Sequence, residues 1–205
     1  MNASAVQIIP LEKSHLENAS SLLGEAFLNE PGVVAVIRGT PEKRLRMLQA
    51  HFASWVKLNL SRPASCCALF DGEVVGVMLV CAPEEGTTTP AEALAFLARA
   101  LLHVGPGIVW RGLKNSVTDE KHRPKEPNYF LETIGVDPRF QRRGIGSMML
   151  SHLTGLADRE QVLTYLSTTD PRTVPFYEKF GFKTTAKTNP TGVPNYHMVR
   201  EPKQL

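Results

Sequence analysis

Residues 133–150 read TIGVDPRFQRRGIGSMML and carry the clearest chemical signal of the chain. An apolar run ends at Val136, an Asp-Pro turn follows, and Gln-Arg-Arg-Gly-Ile-Gly fills positions 141–146 directly before an amphipathic helix. Glycines there leave successive backbone N–H groups accessible, and the first turn of a helix has unpaired donors and a partial positive charge. The arginines add charge, so the turn is suited to hold a phosphate.

Two familiar phosphate-binding loops do not fit this stretch. A Rossmann fingerprint needs a third glycine three residues after Gly146, where Met149 stands. A nucleoside-triphosphate loop needs Gly-Lys-Ser/Thr, which the sequence lacks. Taken alone, the Gly-x-Gly turn fits a plain helix start equally well.

The chain downstream of this loop alternates between strand and helix patterns. The predicted elements are strand 129–136, helix 144–157, strand 161–168, helix 172–180 and short strands near 183–187 and 196–199. A helical crossover between two strands predicts a right-handed connection and a parallel pair.

The residue pattern in the first third of the chain predicts one strand followed by helices and a hairpin. The strand is predicted at residues 6–10. The next helix is predicted to be capped by Ser14, with Glu17 three residues on, and a further helix is predicted to begin at Pro41. Two β-type runs meet at Asp71-Gly72, a dipeptide that favours a tight hairpin turn. The fold class expected is therefore α/β, a mixed and mostly antiparallel sheet flanked by helices.

Residues 83–127 interrupt this pattern. They contain a predicted helix at 91–104, a Gly-Pro-Gly break, a second helical piece and the charged linker TDEKHRPKEP. We expect one domain over 1–205 with a helical insertion at about 83–127. The insertion fits a lid or substrate-facing elaboration and a plain surface excursion equally well.

Composition narrows the possible functions. The 205 residues are 42% hydrophobic and 21% charged, with a formal net charge of +3. This mild basicity suits an anionic small ligand and lacks the concentrated basic stripe of a nucleic-acid binder. The three cysteines, Cys66, Cys67 and Cys81, are odd in number and lack metal-ligand spacing, so we expect buried free thiols and no metal site. No secretory pattern or membrane span is predicted, and a cytoplasmic protein is expected.

Two motifs resemble the GCN5-related N-acetyltransferase (GNAT) superfamily. VDPRFQRRGIGSMMLSHL resembles its acyl-CoA-binding motif, Gln/Arg-x-x-Gly-x-Gly/Ala, with Gln141, Gly144 and Gly146 at the fixed positions. VPFYEKFGF, residues 174–182, resembles its Phe-Tyr-Glu-x-x-Gly-Phe signature. The resemblance covers nearly the whole chain and is sharp from about 129 to 182. YFLETIGVDPRFQRRGIG and GVPNYHMVREP look most like small-molecule enzymes of the puromycin-acetyltransferase-like kind.

The resemblance implies acetyl-CoA as cosubstrate, lying between two parallel strands that splay apart. The pyrophosphate would lie on the loop formed by Gln141, Arg142, Arg143, Gly144, Ile145, Gly146 and Ser147. The backbones of Ile134, Gly135 and Val136 would pair with the pantetheine arm, and the Val136 amide would bond the thioester carbonyl. Many relatives have Asn where Thr173 stands, and a hydroxyl can replace only part of the hydrogen bonding of that amide to the CoA arm.

Two residues are candidates for proton transfer. Tyr177 matches the family's acid that protonates the departing thiolate, and its ordinary pKa of about 10 is close enough to a thiol's for transfer without a drastic shift. Packing on an amphipathic helix is the alternative role. Glu132, on one face with Ile134 and Val136 by period-two geometry, is the candidate base, with an edge or solvent-facing glutamate as the alternative.

The expected function is N-acetylation of a primary amine of a small molecule by direct attack in a ternary complex. A protein or peptide N-acetyltransferase and a non-catalytic acyl-CoA sensor are the alternatives. Acceptor choice would lie in residues 27–60 and 83–127, and His197 is a further candidate for substrate contact. The charged stretch DEKHRPKEP is expected to be a solvated linker. Neither nucleic acid nor membrane is an expected partner, and both a monomer and a homodimer fit the sequence.

Overall fold

A seven-stranded sheet organises the computed structural model, which describes residues 5–83 and 106–204. The strands lie in the order β1-β2-β3-β4-β5-β7-β6. They are β1 (Gln7–Pro10), β2 (Cys66–Phe70), β3 (Glu73–Cys81), β4 (Asn128–Val136), β5 (Leu163–Thr168), β6 (Lys183–Thr188) and β7 (Asn195–Arg200). β4 and β5 pair in parallel and the other neighbours are antiparallel, which confirms the predicted fold class.

Six α-helices of the described residues flank the sheet. They are α1 (Leu16–Ala26), α2 (Pro31–Val36), α3 (Pro41–Asn59), α4 (Pro106–His122), α5 (Ile145–Glu160) and α6 (Val174–Glu178), with short 3-10 turns at Lys13–His15 and Pro138–Phe140. α5 is the predicted crossover between β4 and β5. The predicted helix at 91–104 lies outside the described residues.

The core has two layers, one on each face of the sheet. On one face, Met149 and Leu153 of α5 pack with Met78 and Val80 of β3. On the other face, α1 and α3 pack against the alternate β3 residues, among them Leu79. β3 is buried on both sides, which is why its sequence is a nearly continuous apolar run.

Local geometry confirms several predicted starts and turns. Asp71 and Gly72 have φ of 50° and 80°, as a tight hairpin turn between β2 and β3 requires. Pro41 begins α3, and the Thr40 side chain caps it by accepting from the Lys43 amide at 3.3 Å. The three cysteines are buried and free, as predicted.

Two local predictions are wrong, and one helix was missed. Ser14 does not cap α1, because it lies inside a 3-10 turn that precedes that helix. The residue before this turn, Glu12, donates its backbone N–H to His15 Nδ1 at 3.1 Å. Helix α2 was not predicted; Glu30 caps it by accepting from the Val33 amide at 2.7 Å. Residues 118–122 of the charged stretch continue α4 and pack on the sheet, so that part is not a solvated linker.

Candidate active site

The parallel strands β4 and β5 separate within their own length. Their register begins at Asn128↔Leu163 and ends at Leu131↔Leu166. Both strands continue beyond that point, β4 bonded to β3 and β5 bonded to β7. The edges that face each other past Leu131 are therefore open to an extended ligand with amide groups, and Ile134, Gly135 and Val136 lie along this edge.

A β-bulge lies at the start of this split. Leu79 pairs with Thr133 and Val80 pairs with Leu131, so Glu132 is the extra residue of β4. Its carboxylate forms an ion pair with Arg62, just past the end of α3, at 2.9 Å. Ile134 and Val136 instead pack with the cluster that contains α5. The prediction that Glu132 shares their face is wrong, because a bulge breaks the period of two.

Burial dominates the electrostatics of Glu132. The side chain is only 10% exposed, and desolvation raises the pKa of its carboxyl above the ordinary value. Attraction to Arg62 and hydrogen bonds from Arg62 and Asn59 oppose that rise. Glu132 is therefore neither at an outer edge nor in solvent, which removes the alternative role considered for it.

The glycine loop has the backbone geometry of an anion cradle. Arg142 and Gly144 have φ of 62° and 83°, which turns the chain into the first turn of α5. Within the described part of the chain, the amides of residues 142–147 donate no hydrogen bond to another residue. Arg142 and Arg143 are exposed beside them, whereas Ile145 is buried, so Ile145 can offer a ligand only its amide.

Gln141 has a role inside the loop. Its Nε2 donates to the Val136 carbonyl at 3.2 Å, so the side chain joins the loop to the last residue of β4. Asp137 holds the preceding turn by accepting from the Arg139 amide at 2.8 Å. The loop is thus fixed relative to the open edge of β4.

Gly146 lies where the loop, β4 and α6 meet. A Cβ placed on it would lie 3.7 Å from Val136 Cγ2 and 3.8 Å from Phe176 Cζ. The structure therefore brings the glycine loop and the FYEKFGF segment together, although they are far apart in the sequence.

Tyr177 of α6 is a buried member of the core on this side. Its ring packs edge-on to Phe176 and Phe182, and 8% of the residue is exposed. Burial, with a smaller effect of nearby Asp170, raises the pKa of its phenol well above the ordinary value. In the protein alone, the pKa of Tyr177 is thus shifted from the ordinary value on which the sequence-based expectation rested.

Thr173 uses its hydroxyl inside the turn before α6. Its Oγ1 donates to the Asp170 carbonyl at 2.8 Å and lies 2.9 Å from Thr168 Oγ1. The hydroxyl proton is therefore used, and only acceptor capacity remains for a ligand.

Glu30 is a carboxylate at the split that the sequence did not single out. The Thr169 hydroxyl, just past β5, donates to Glu30, and the Gly32 amide donates to that hydroxyl at 3.0 Å. This clasp, formed by Glu30, Gly32 and Thr169, joins α2 to the loop that leads to α6. No local signal marks it, because its partners are more than 130 residues apart.

His197 is a buried network residue. Its Nδ1 lies 2.8 Å from the Tyr165 hydroxyl and its Nε2 lies 2.8 Å from Thr188 Oγ1. The side chain has no exposed surface, and burial, with repulsion from His122, lowers its pKa to about 4. It is therefore neutral at physiological pH and shielded from direct substrate contact.

Comparison with known proteins agrees with this geometry. The family model "Acetyltransferase (GNAT) family" matches residues 34–182. The chain belongs to the GNAT family of acetyltransferases.

No helix among the described residues combines the length and apolarity needed to cross a membrane. Within those same residues, no three His, Cys, Asp or Glu side chains are grouped so that they could hold a metal ion.

Several solved structures share the fold over nearly their full length. A histone acetyltransferase HPA2 and related acetyltransferase from Corynebacterium glutamicum is 20% identical, with 98% of each chain covered and a TM-score of 0.68. The polyamine N-acetyltransferase of Drosophila melanogaster is 15% identical, with 96% of this chain and 100% of that chain covered and a TM-score of 0.67. Arylalkylamine N-acetyltransferase 2 from Aedes aegypti is 16% identical, with coverages of 97% and 99% and a TM-score of 0.65.

Proposed function

We propose that the protein transfers the acetyl group of acetyl-CoA to a primary amine of a small molecule by direct attack in a ternary complex. The observation that carries the proposal is the end of β4–β5 pairing at Leu131↔Leu166, with the donor-rich loop 141–147 at the outer end of the open edge. Polyamine and arylalkylamine enzymes among the similar folds fit this acceptor class.

The open edge of β4 and the glycine loop bind different parts of the cosubstrate. The pyrophosphate lies on the amides of residues 142–147, beside Arg142 and Arg143. The pantetheine amides pair with the backbone of Ile134 to Val136, as a short extra strand would. The Val136 amide then donates to the thioester oxygen, a bond that strengthens as negative charge develops on that oxygen.

The reaction requires two proton transfers. The amine loses a proton, its nitrogen attacks the thioester carbon, and the C–S bond breaks to release the CoA thiolate. Tyr177 gives its proton to that thiolate. Burial raises the pKa of Tyr177, and a thiolate formed in the same desolvated split is also more basic, so the two groups remain matched.

Glu132 is the proposed base. It lies at the inner end of the split, and its raised pKa makes its carboxylate a better proton acceptor than an exposed glutamate. Glu30 lies at the α2 side of the same split and accepts from the Val33 amide and the Thr169 hydroxyl, much as Glu132 accepts from Arg62 and Asn59. The raised pKa of Glu132 decides the choice, and we assign to Glu132 the proton that the amine loses.

Calorimetric titration with acetyl-CoA tests the first step. We expect one-to-one binding that the Arg142→Glu/Arg143→Glu variant weakens by about 100-fold, since two favourable charges become repulsive. A matched control, Lys183→Glu/Lys187→Glu on β6, should bind as the parent protein does. Absence of binding by the folded parent protein would refute the proposal.

A screen of small primary amines with a thiol-release assay tests the transfer itself. Mass spectrometry of the products should show one added acetyl group on the amine. Acetylation of added proteins or peptides, with no small amine modified, would instead favour a protein N-acetyltransferase. Binding of acetyl-CoA without any transfer would favour the acyl-CoA sensor.

A further inference from the structure

Beyond Ile108, which packs against the core, the helix α4 is turned opposite to an ordinary surface helix. Its apolar residues Trp110, Leu113 and Val117 are 63%, 43% and 68% exposed. Its polar residues Arg111, Asn115 and Asp119, each four apart, lie on the other face, which is turned to the protein. Surface helices normally turn an apolar stripe inward, so this inward face of α4 is suited to a polar partner.

Asp119 is the central charge of this inward face. It accepts from Asn195 Nδ2 at 2.9 Å and from the Ser167 hydroxyl, and burial raises the pKa of its carboxyl. Its own backbone carbonyl accepts from the Tyr165 hydroxyl at 3.0 Å, which fixes this turn of α4 on the sheet. The side chain is still 20% exposed and can be reached by a small molecule.

No arginine or lysine of the described residues forms an ion pair with Asp119. Other shielded carboxylates have one: Glu132 pairs with Arg62, and Asp158 pairs with Arg200. The imidazole of His197, 3.7 Å from Asp119, is neutral because burial lowers its pKa to about 4. His122, stacked on His197, also faces this side, and its attraction lowers the pKa of Asp119 against the rise caused by burial. Tyr165, Glu120 and Arg123 lie close by as well. A partly buried carboxylate without an arginine or lysine partner favours binding of a cation.

Two amide oxygens near Asp119 also have no hydrogen-bond donor in the described part of the chain. They are Oδ1 of Asn115, one helical turn before Asp119, and Oδ1 of Asn195, on the amide that donates to Asp119. Both oxygens are buried. Three acceptor groups without an arginine or lysine partner suit a ligand that has only donors, namely an ammonium or a guanidinium group.

This acceptor-rich subsite, formed by Asn115, Asp119 and Asn195, lies next to the split. Ser167, which bonds Asp119, is the residue that follows Leu166, the last β5 residue paired with β4. The subsite therefore borders the space into which the thioester would project.

We propose that the acceptor-rich subsite binds a second, protonated nitrogen of the acceptor, and that the natural acceptors are small dications such as diamines. The proposal rests on the acetyltransferase function proposed above and adds the substrate class. An ionised carboxylate stabilises a protonated nitrogen, whereas the attacking nitrogen must be neutral. Asp119 is thus suited to the nitrogen that does not react.

The test compares diamines with monoamines of the same length. Putrescine and cadaverine, and as controls butylamine and pentylamine, are titrated calorimetrically into the full chain saturated with CoA. We expect the parent protein to bind the diamines more tightly. Asp119→Asn should lose about 10- to 100-fold in diamine affinity, the effect of removing a charged hydrogen bond, with little change for the monoamines. Glu120→Gln, an exposed change on the same helix, should bind as the parent does.

Steady-state kinetics gives the second readout. In Asp119→Asn, the KM for diamines should rise while kcat for butylamine stays near the parent value. Equal diamine affinity in Asp119→Asn and the parent, or no preference of the parent for diamines, would overturn the proposal. Diamine binding that depends on Asp119, with no acetyl transfer to any amine, would support the subsite and reject the transferase function instead.

Discussion

Replacing Tyr177 with phenylalanine removes only the hydroxyl group, which is the group that the proposed mechanism uses. The ring packs between Phe176 and Phe182, and a phenylalanine would keep those contacts. We therefore expect Tyr177→Phe to lower kcat by about 100-fold, the size of a lost general acid, with little change in the KM for acetyl-CoA or in thermal stability. Steady-state kinetics and thermal unfolding measure both. Tyr196→Phe on β7 is the matched control, and an equal kcat in both variants would leave Tyr177 with a packing role only.

The ion pair of Arg62 with Glu132 allows the base to be tested without removing it. Arg62 lowers the pKa of Glu132 against the rise caused by burial. In Arg62→Gln that opposition is lost, so the pKa of Glu132 rises further and the carboxylate is protonated at a higher pH. The acidic limb of kcat/KM should therefore move upward by about one pH unit.

The Arg62→Lys variant is the control for this shift, because it keeps the positive charge. Its acidic limb should stay near that of the parent protein. An acidic limb that is the same in the parent, Arg62→Gln and Arg62→Lys would show that a group other than Glu132 sets the limb.

The first turn of α5 contains two glycines with different physical requirements. Gly144 has φ of 83°, so the turn itself needs glycine there. Gly146 lies inside the helix, and a Cβ on it would make only ordinary contacts with Val136 and Phe176. The fold alone does not require glycine at this position, whereas a close pyrophosphate does.

Gly146→Ala should therefore separate folding from binding. We expect the free energy of unfolding to rise by up to about 1 kcal/mol, since alanine favours helix, while acetyl-CoA affinity falls at least tenfold. Gly155→Ala, in the same helix and with ordinary space around its Cβ, should raise stability without changing affinity. Thermal unfolding and calorimetry give the two quantities, and unchanged affinity in Gly146→Ala would mean that no ligand approaches this glycine closely.

Elements with local signals were predictable, and long-range features were not. A few neighbouring residues indicate each of three features: the hairpin at Asp71-Gly72, the proline start of α3 and the crossover helix α5. The bulge at Glu132 has no such signature, because it arises from the register between β3 and β4. The predicted face of Glu132 was wrong for this reason.

The candidate site followed the same division. The glycine loop and Tyr177 were found through contiguous motifs, and the structure brings their segments together around Gly146. Glu30 and Asp119 were missed, since their partners, Thr169 and Asn195, are distant in sequence. The orientation of α4 depends likewise on tertiary contacts, because its polar face meets partners on β5 and β7.

At the scale of the whole molecule, the clasp of Glu30, Gly32 and Thr169 bears on the order in which substrates add. It ties α2, in the segment expected to choose the acceptor, to the loop leading into α6, on the side proposed for the CoA arm. When CoA binds, that loop would pack against it and, through the clasp, would fix the position of α2. The amine could bind in a reactive orientation only after that. We therefore expect acetyl-CoA to add first, so that a non-reactive acceptor analogue inhibits uncompetitively against acetyl-CoA. In Thr169→Val the clasp is absent, addition should become random, and the same analogue should inhibit noncompetitively.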